Sequence, residues 1–497
     1  MPAQNRNSYG NIFKALALFG GVKVIQILIS VLRAKIIAVL LGPTGMGISN
    51  LFVSTTTTIN GITGCGLQTS AIREVSKAYD SNDSRKINSI ITTLRHLVWF
   101  TGLLGACIVL IFARPLSYFT FGNADHINAF RILSIMMLFL QLNVGQVALM
   151  QGTFHYKDIA RSTLTAQILS LILTMPIYYF FGNDGIVPAL IIAAIITVSV
   201  TSIYAKKIEF TRIKLSVQEF LINSKGMVSL GIVIALGGVI SNSSSYFLNV
   251  IIAHLDSVDA VGLYSAAMTI ANSYVFLVLS AMTSDYVPRL SALHGNDEKQ
   301  IDAINKQMIL VSIILVPLLV LFIVFAKEAI YILYSPYFYA TIHMLEFLMM
   351  AMLFRAISWC LSYAFISRGD SKIFLTNEII TFVISLSLKA IGFVWKEYTG
   401  IGIALILIYI IYSIILYIAA RRTFNFRFSS EFLYISAIST LICSFAVATS
   451  IILESSTTKY LAGTFILIIA GCFSGIELNN RIGIVSYIKQ RLHKKTT

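Results

Sequence analysis

Apolar runs about as long as a bilayer core is thick recur along this chain, and no soluble fold accommodates so many. A membrane helix needs roughly 20 apolar residues. Fourteen runs qualify, near 12–40, 46–68, 94–113, 130–150, 162–181, 186–205, 227–253, 262–283, 308–326, 343–366, 373–394, 400–420, 432–452 and 460–478. Only 12% of the 497 residues are charged and 57% are hydrophobic, against about 25% charged in a soluble domain. The composition predicts an all-α polytopic membrane protein.

The net charge of +15 does not point to nucleic acid, because Lys and Arg fall in short clusters between the apolar runs. Cytoplasmic loops of membrane proteins are rich in Lys and Arg. With the N-terminus inside, cytoplasmic segments hold 27 of the 37 basic residues, and both termini are expected in the cytoplasm. The second run is the least hydrophobic, yet removing it destroys this alternation. The opening "MPAQNRNSYGNIFKALALFGG" has no clear small-residue cleavage site and reads as a short cytoplasmic tail entering the first helix. Five cysteines stand singly in or beside apolar segments, without CxxC spacing or a nearby histidine cluster, so neither a disulfide framework nor a metal site is expected.

Shifted by about 215 residues, the chain resembles itself. "GIVPALIIAAIITVSVTSIYAKK" from Gly185 aligns with "GIGIALILIYIIYSIILYIAARR" from Gly400, and small gaps carry the match through "FARPLSYFTFG" and "FAKEAIYILYS". Six spans per copy is an even number, so both copies have one orientation about an axis along the membrane normal. The expected architecture is two pseudo-two-fold related six-helix lobes, 1–210 and 227–425, joined by a cytoplasmic linker at 211–226. Two further helices and a basic tail fill 426–497. The lobes are expected to enclose a central cationic cavity.

Polar residues inside the spans mark the candidate site. Lys23, Gln26, Ser30 and Arg33 recur at spacings of three and four, one stripe on a helix; Lys35 points elsewhere. Ser49, Thr56, Asn60 and Thr63 share a face of the second span, Gln141, Asn143 and Gln146 lie in the fourth, and Asn242, Ser245 and Asn249 in the seventh. Arg355 and Lys389 lie deep in later spans. Ser, Thr, Asn and Gln also make ordinary interhelical hydrogen bonds in membranes, and Arg33 or Lys35 can snorkel to the interface. Lys23 sits about 1.5 turns or more from the inner end, where snorkelling is harder. A cation at the bilayer centre costs about 2.5–3.5 kcal/mol and usually faces water or a partner. With few acids in the spans, the natural partner is an anionic ligand. Arg73 and Arg289, equivalent in the repeat, would flank the cytoplasmic mouth, although positive-inside anchoring is the simpler account of this pair.

"VKVIQILISVLRAKIIAVLLGPTGMGISNLF", "TFGNADH" and "LMQGTFHYKDIARSTLTAQILSLI" resemble the multidrug/oligosaccharidyl-lipid/polysaccharide (MOP) exporter superfamily over about 10–425. The resemblance is strongest to its polysaccharide branch, which holds the Wzx-type O-antigen translocases and lipid III flippases; Lys23 and Lys35 match positions basic in that branch. The resemblance implies a flippase rather than an enzyme, moving an undecaprenyl-pyrophosphate-linked oligosaccharide across the inner membrane by alternating access. It implies work beside a polysaccharide polymerase and chain-length machinery, with no cofactor and with drive from the membrane potential or an ion gradient. Lys suits phosphate as a point charge and Arg as a fork. A lipid II-type flippase needs a similar cationic site and remains the alternative. A drug or cation antiporter would want intramembrane carboxylates, which the first seven spans lack centrally.

Overall fold

The computed structural model describes residues 3–482 except 82, 209, 212, 294, 369 and 454; the side chains of 3–21, 23, 230, 233, 234, 241, 284, 371, 372, 456 and 482 also lie outside the description. Most of the described residues are helical, with no strand among them. Lipid leaves backbone polar groups no outside partner, so a spanning segment satisfies them within a helix.

The helices are α1 (Ala3–Thr63), α2 (Leu67–Asp80), α3 (Ser84–Ile111), α4 (Ala113–Phe121), α5 (Ile127–Gly152), α6 (Tyr156–Phe181), α7 (Ile186–Ala205), α8 (Val217–Leu255) and α9 (Val258–Ala292). They continue as α10 (Asp297–Val324), α11 (Ala326–Leu333), α12 (Ile342–Arg368), α13 (Ser371–Phe424), α14 (Ser430–Ile452) and α15 (Ser456–Ile482). Eleven segments among the described residues are long and apolar enough to cross a membrane. Three of them, of 40, 50 and 52 residues, are about twice the needed length, and each contains a break.

The breaks have local causes. In α1, Gly42 adopts φ 67°, a conformation that glycine alone takes without strain, and Pro43 follows it. Between α6 and α7 the chain makes a short 3-10 turn, Gly182–Gly185. In α13 the break falls at Lys396 and Glu397. There the two legs meet backbone to backbone: a Cβ built on Gly400 would lie 1.8 Å from the Gly392 carbonyl oxygen.

The chain forms two compact units, 1–265 and 266–497. In the first, α3 packs on α5, α5 on α7, α6 on α7, and α8 on α1 and α2. This packing of α8 carries the first unit well past the 211–226 linker. A buried cluster including Leu67, Val75, Ile91, Leu94, Leu149 and Met227 ties α2, α3, α5 and α8 together. A second cluster stacks Phe52, Phe121, His126 and Phe130, with the Phe121 and His126 ring centroids 3.9 Å apart. In the second unit, α12 packs on α13 and α10, and α14 and α15 both lie against α10.

Candidate functional site

In the first unit the stripe on α1 is only partly free to meet a ligand. Lys23 has its side chain outside the described residues. Gln26 is half-buried, and exposed Ser30 donates to its carbonyl oxygen at 2.9 Å, a local bond within the helix. Arg33 is half-buried and has no hydrogen-bond or ion-pair partner among the described residues. Lys35 is half-buried and engaged with a neighbour. Beyond the break, Thr55, Thr56 and Thr57 donate to carbonyl oxygens of Leu51, Phe52 and Val53 at 2.7–2.8 Å, so the threonine run largely satisfies itself. Asn60 is half-buried on the same stretch.

The polar residues of α5 separate into two groups. Gln146 donates to Ser202 at 2.5 Å and accepts from Thr201 at 2.6 Å, while Asn143 accepts from Thr201 at 2.9 Å, so these side chains join α5 to α7. Gln141 is buried against Gly64 and Gly102, its amide nitrogen without a partner. On α8, Asn242 is exposed, whereas Asn249 is buried and donates to Ser54 of α1 at 3.4 Å. Its Oδ1 has no partner.

The second unit builds a more ordered cationic centre. Arg355 on α12 donates to Asn272 of α9, contacts the Met352 sulfur at 3.7 Å, and carries its guanidinium 5.8 Å from the centroid of the Tyr409 ring. Lys389 on α13 is half-buried and near enough for its charge to interact with that of Arg355. Neither forms an ion pair with a carboxylate among the described residues. Neutral partners orient a guanidinium without cancelling its charge, which leaves it available to an anion. Nearby in the unit, Tyr412 donates to Glu378 at 2.5 Å and shares a 2.9 Å hydrogen bond with Ser362.

Composition gave no warning of Glu346, a fully buried carboxylate on α12. It meets His343 at 3.0 Å, accepts from Ser450 of α14 and faces Lys459 of α15 at 3.7 Å. Asn272, Tyr409 and Glu346 belong to the polar machinery of the unit, yet their partners Arg355, Ser450 and Lys459 lie on other helices, where spacing along the chain gives no signal. Of the two mouth candidates, Arg73 is exposed, while Arg289 donates to Gln307 at 2.9 Å and lies 3.8 Å from Asp285. No cluster of metal-ligating side chains occurs among the described residues.

A bundle of long apolar helices, with arginine and lysine set among neutral polar groups inside the spans, defines a multi-pass membrane protein. The family described as "Polysaccharide biosynthesis protein" matches residues 36–343, more than half of the chain, and the chain belongs to it. The fold is that of the MOP superfamily. The lipid II flippase MurJ in its inward closed conformation superposes with a TM-score of 0.70 at 14% identity, covering 95% of this chain and 99% of that one. An inward-facing multidrug resistance MATE family transporter of the MOP superfamily gives 0.66 at 16% identity, covering 83% and 95%. In sequence, the chain is similar to the lipid III flippases of Escherichia coli (strain K12) and Shigella flexneri, 23% identical over 269 residues. That match takes in 53% of this chain and 63% of each relative.

Proposed function

We infer that this protein is a flippase for a lipid-linked oligosaccharide, with an undecaprenyl-pyrophosphate-linked repeat unit of a surface polysaccharide such as O-antigen as cargo. The observation that carries the reading is the charge of the spanning helices: Arg33 in one unit, and Arg355 with Lys389 in the other, form no ion pair with a carboxylate among the described residues. A pyrophosphate is the compact anion these groups suit. Membership in a polysaccharide biosynthesis family and the similarity to lipid III flippases support the same substrate class.

On this reading the three double-length segments each cross the membrane twice, giving fourteen crossings in the inner membrane with both termini in the cytoplasm. The headgroup binds the cations, is exposed to one leaflet and then the other, and leaves in the periplasmic leaflet. Asn and Gln beside the cations serve sugar hydroxyls. Outward movement of an anionic headgroup runs with an inside-negative potential, at about 2.3 kcal/mol per charge per 100 mV. A polymerase with its chain-length machinery would then consume the flipped unit.

Flipping of a lipid-pyrophosphate oligosaccharide in proteoliposomes tests this, comparing wild type with Lys23→Ala, Arg33→Ala, Lys35→Ala and Arg355→Ala at matched amounts of folded protein. Loss of transport in Arg33→Ala or Arg355→Ala is the expected result. Full transport in all four variants refutes a pyrophosphate role for these cations. The fit to MurJ over nearly the whole chain favours lipid II as the second reading; lipid II supplied in the same vesicles would then be carried faster than the oligosaccharide lipid.

A further inference from the structure

The first unit contains a cavity of about 530 Å³ between α3, α5 and α7 whose basic residues the flippase reading does not use; Gln146 also lines it, with its amide already spent on α7. Arg95 and His96 of α3 and Lys206 at the end of α7 lie at its basic end, and no carboxylate lines it. Towards the middle of the helices its walls turn apolar, with Trp99, Phe139, Leu142 and Val198. Its polar and apolar ends are therefore arranged as in a lipid molecule lying along the helices.

Two further observations point to an occupant. Thr92 lines the cavity, is 7% exposed, and its hydroxyl has no hydrogen-bond partner. A buried hydroxyl without a partner costs about 1–3 kcal/mol, which a ligand oxygen would recover. The repeat then shows what such a place normally holds. Helices α3 and α10 are both 28 residues long, capped by Asp83 and Asn296 and ended at Phe112 and Phe325, which sets Thr92 opposite Asn305. In the second unit Asn305 is satisfied by the chain entering α14, donating to the Arg427 carbonyl oxygen at 3.0 Å and accepting from the Ser429 amide at 2.9 Å. In the first unit the counterpart of α14 is the start of α8, which bonds α3 through Asn223 to Ser89 and Thr93 at 2.8 and 3.3 Å and leaves the Thr92 hydroxyl to the cationic groove.

We propose that this groove is a binding site for an anionic phospholipid of the leaflet at its basic end, with the phosphate on Arg95 and Lys206 and an acyl chain along Trp99 and Leu142. Basic pockets between membrane helices suit such headgroups. Arg95 is held in place, its guanidinium 4.3 Å from the centroid of the Phe210 ring, so the site is ordered before the lipid arrives.

The test is native mass spectrometry of delipidated full-length protein titrated with dioleoyl phosphatidylglycerol or dioleoyl phosphatidylcholine. One phosphatidylglycerol should be retained at least tenfold more tightly than phosphatidylcholine. The R95Q/K206Q pair should abolish this preference, and Ser199→Trp, which fills the groove from α7 while keeping both cations, should displace the same single lipid. Equal binding of the two lipids, or an unchanged preference in R95Q/K206Q, overturns the proposal. Displacement of the bound lipid by undecaprenyl phosphate at a tenth of its concentration assigns the groove to the carrier lipid, and displacement by millimolar inorganic phosphate to a free anion; either result also overturns it.

Discussion

Helices α3 and α10 hold the same place in the repeat, as do α5 and α12, but the two pairs sit in different surroundings. In the most apolar stretch of α3 and of α5, 39% of residues are buried; in those of α10 and α12 the share is 72%. The difference comes from α14 and α15, which pack on α10. Lipid tails are as apolar as leucine, so hydrophobicity alone does not bring helices together in a membrane, and polar contacts have to locate them. Asn305 and Glu346 do this in the second unit. At the positions matching His343 and Glu346, the first unit has Asn128 and Arg131, an exposed pair at 3.2 Å that contacts no additional helix. The two copies thus share helix length and caps in α3 and α10 but differ in the polar contacts that α10 and α12 make with α14 and α15.

The sharpest way to break this comparison is to remove Glu346. Glu346→Ala leaves Lys459 without its carboxylate and should destabilise the second unit by about 3–5 kcal/mol, the usual cost of unpairing a buried ion pair. Arg131→Ala, on an exposed face, should stay within about 0.5 kcal/mol. Thermal melts in detergent would show a large drop for the first and almost none for the second; equal drops would end the argument.

The cations give the next contrast. Arg355 is oriented by Asn272 and Tyr409, whereas Arg33 has no partner among the described residues, and a group held in its binding geometry loses less entropy on meeting a ligand. Arg355→Ala should lower proteoliposome flipping at least tenfold and Arg33→Ala several-fold. The reverse order would mean that the unheld arginine is the principal phosphate ligand.

A smaller effect separates Asn305 from Thr92. Asn305→Ala strands the backbone groups of Arg427 and Ser429 and should cost about 1–2 kcal/mol, while Thr92→Val removes a hydroxyl that bonds nothing and should be neutral or slightly stabilising. Melting both variants without added lipid checks this.

The smallest effect is one of pH. Burial lowers the pKa of His126 below its ordinary 6.5, with Asp125 opposing. Its contribution is therefore complete above about pH 6.5 and is lost as the pH falls, because the unfolded chain takes up the proton more readily. The Tm of wild type should fall slightly further between pH 7 and 5 than that of His126→Phe. Parallel curves would show that His126 does not titrate in this range.

Much of the fold was legible because its causes are local. The apolar runs, the "LLGPTG" break at Gly42 and the charged break at Lys396 and Glu397 can all be read over a few residues. The repeat also predicted α3 and α10 as equivalents. The site was legible only in its charges. Periodicity puts Gln141 and Gln146 on one helix, but only packing shows that Gln146 spends its amide on α7 while Gln141 is enclosed against glycines. Thr56 looked available on its face, yet a helical threonine can satisfy its hydroxyl on its own backbone. Asn272 is 83 residues from Arg355, a separation at which spacing carries no information.

The hairpin of α13 has a consequence for how the protein is made. Its legs touch at Gly392 and Gly400 with no room for a side chain, so they suit entry into the membrane as one body. The turn between them carries Lys396 and Glu397, one charge of each sign. The field across the membrane, which acts at about 2.3 kcal/mol per charge per 100 mV, therefore does no net work on this pair. If the hairpin crosses the membrane twice, as the flippase reading holds, its turn adds no dependence of insertion on the membrane potential, and any such dependence comes from the charges within the legs, such as Lys389.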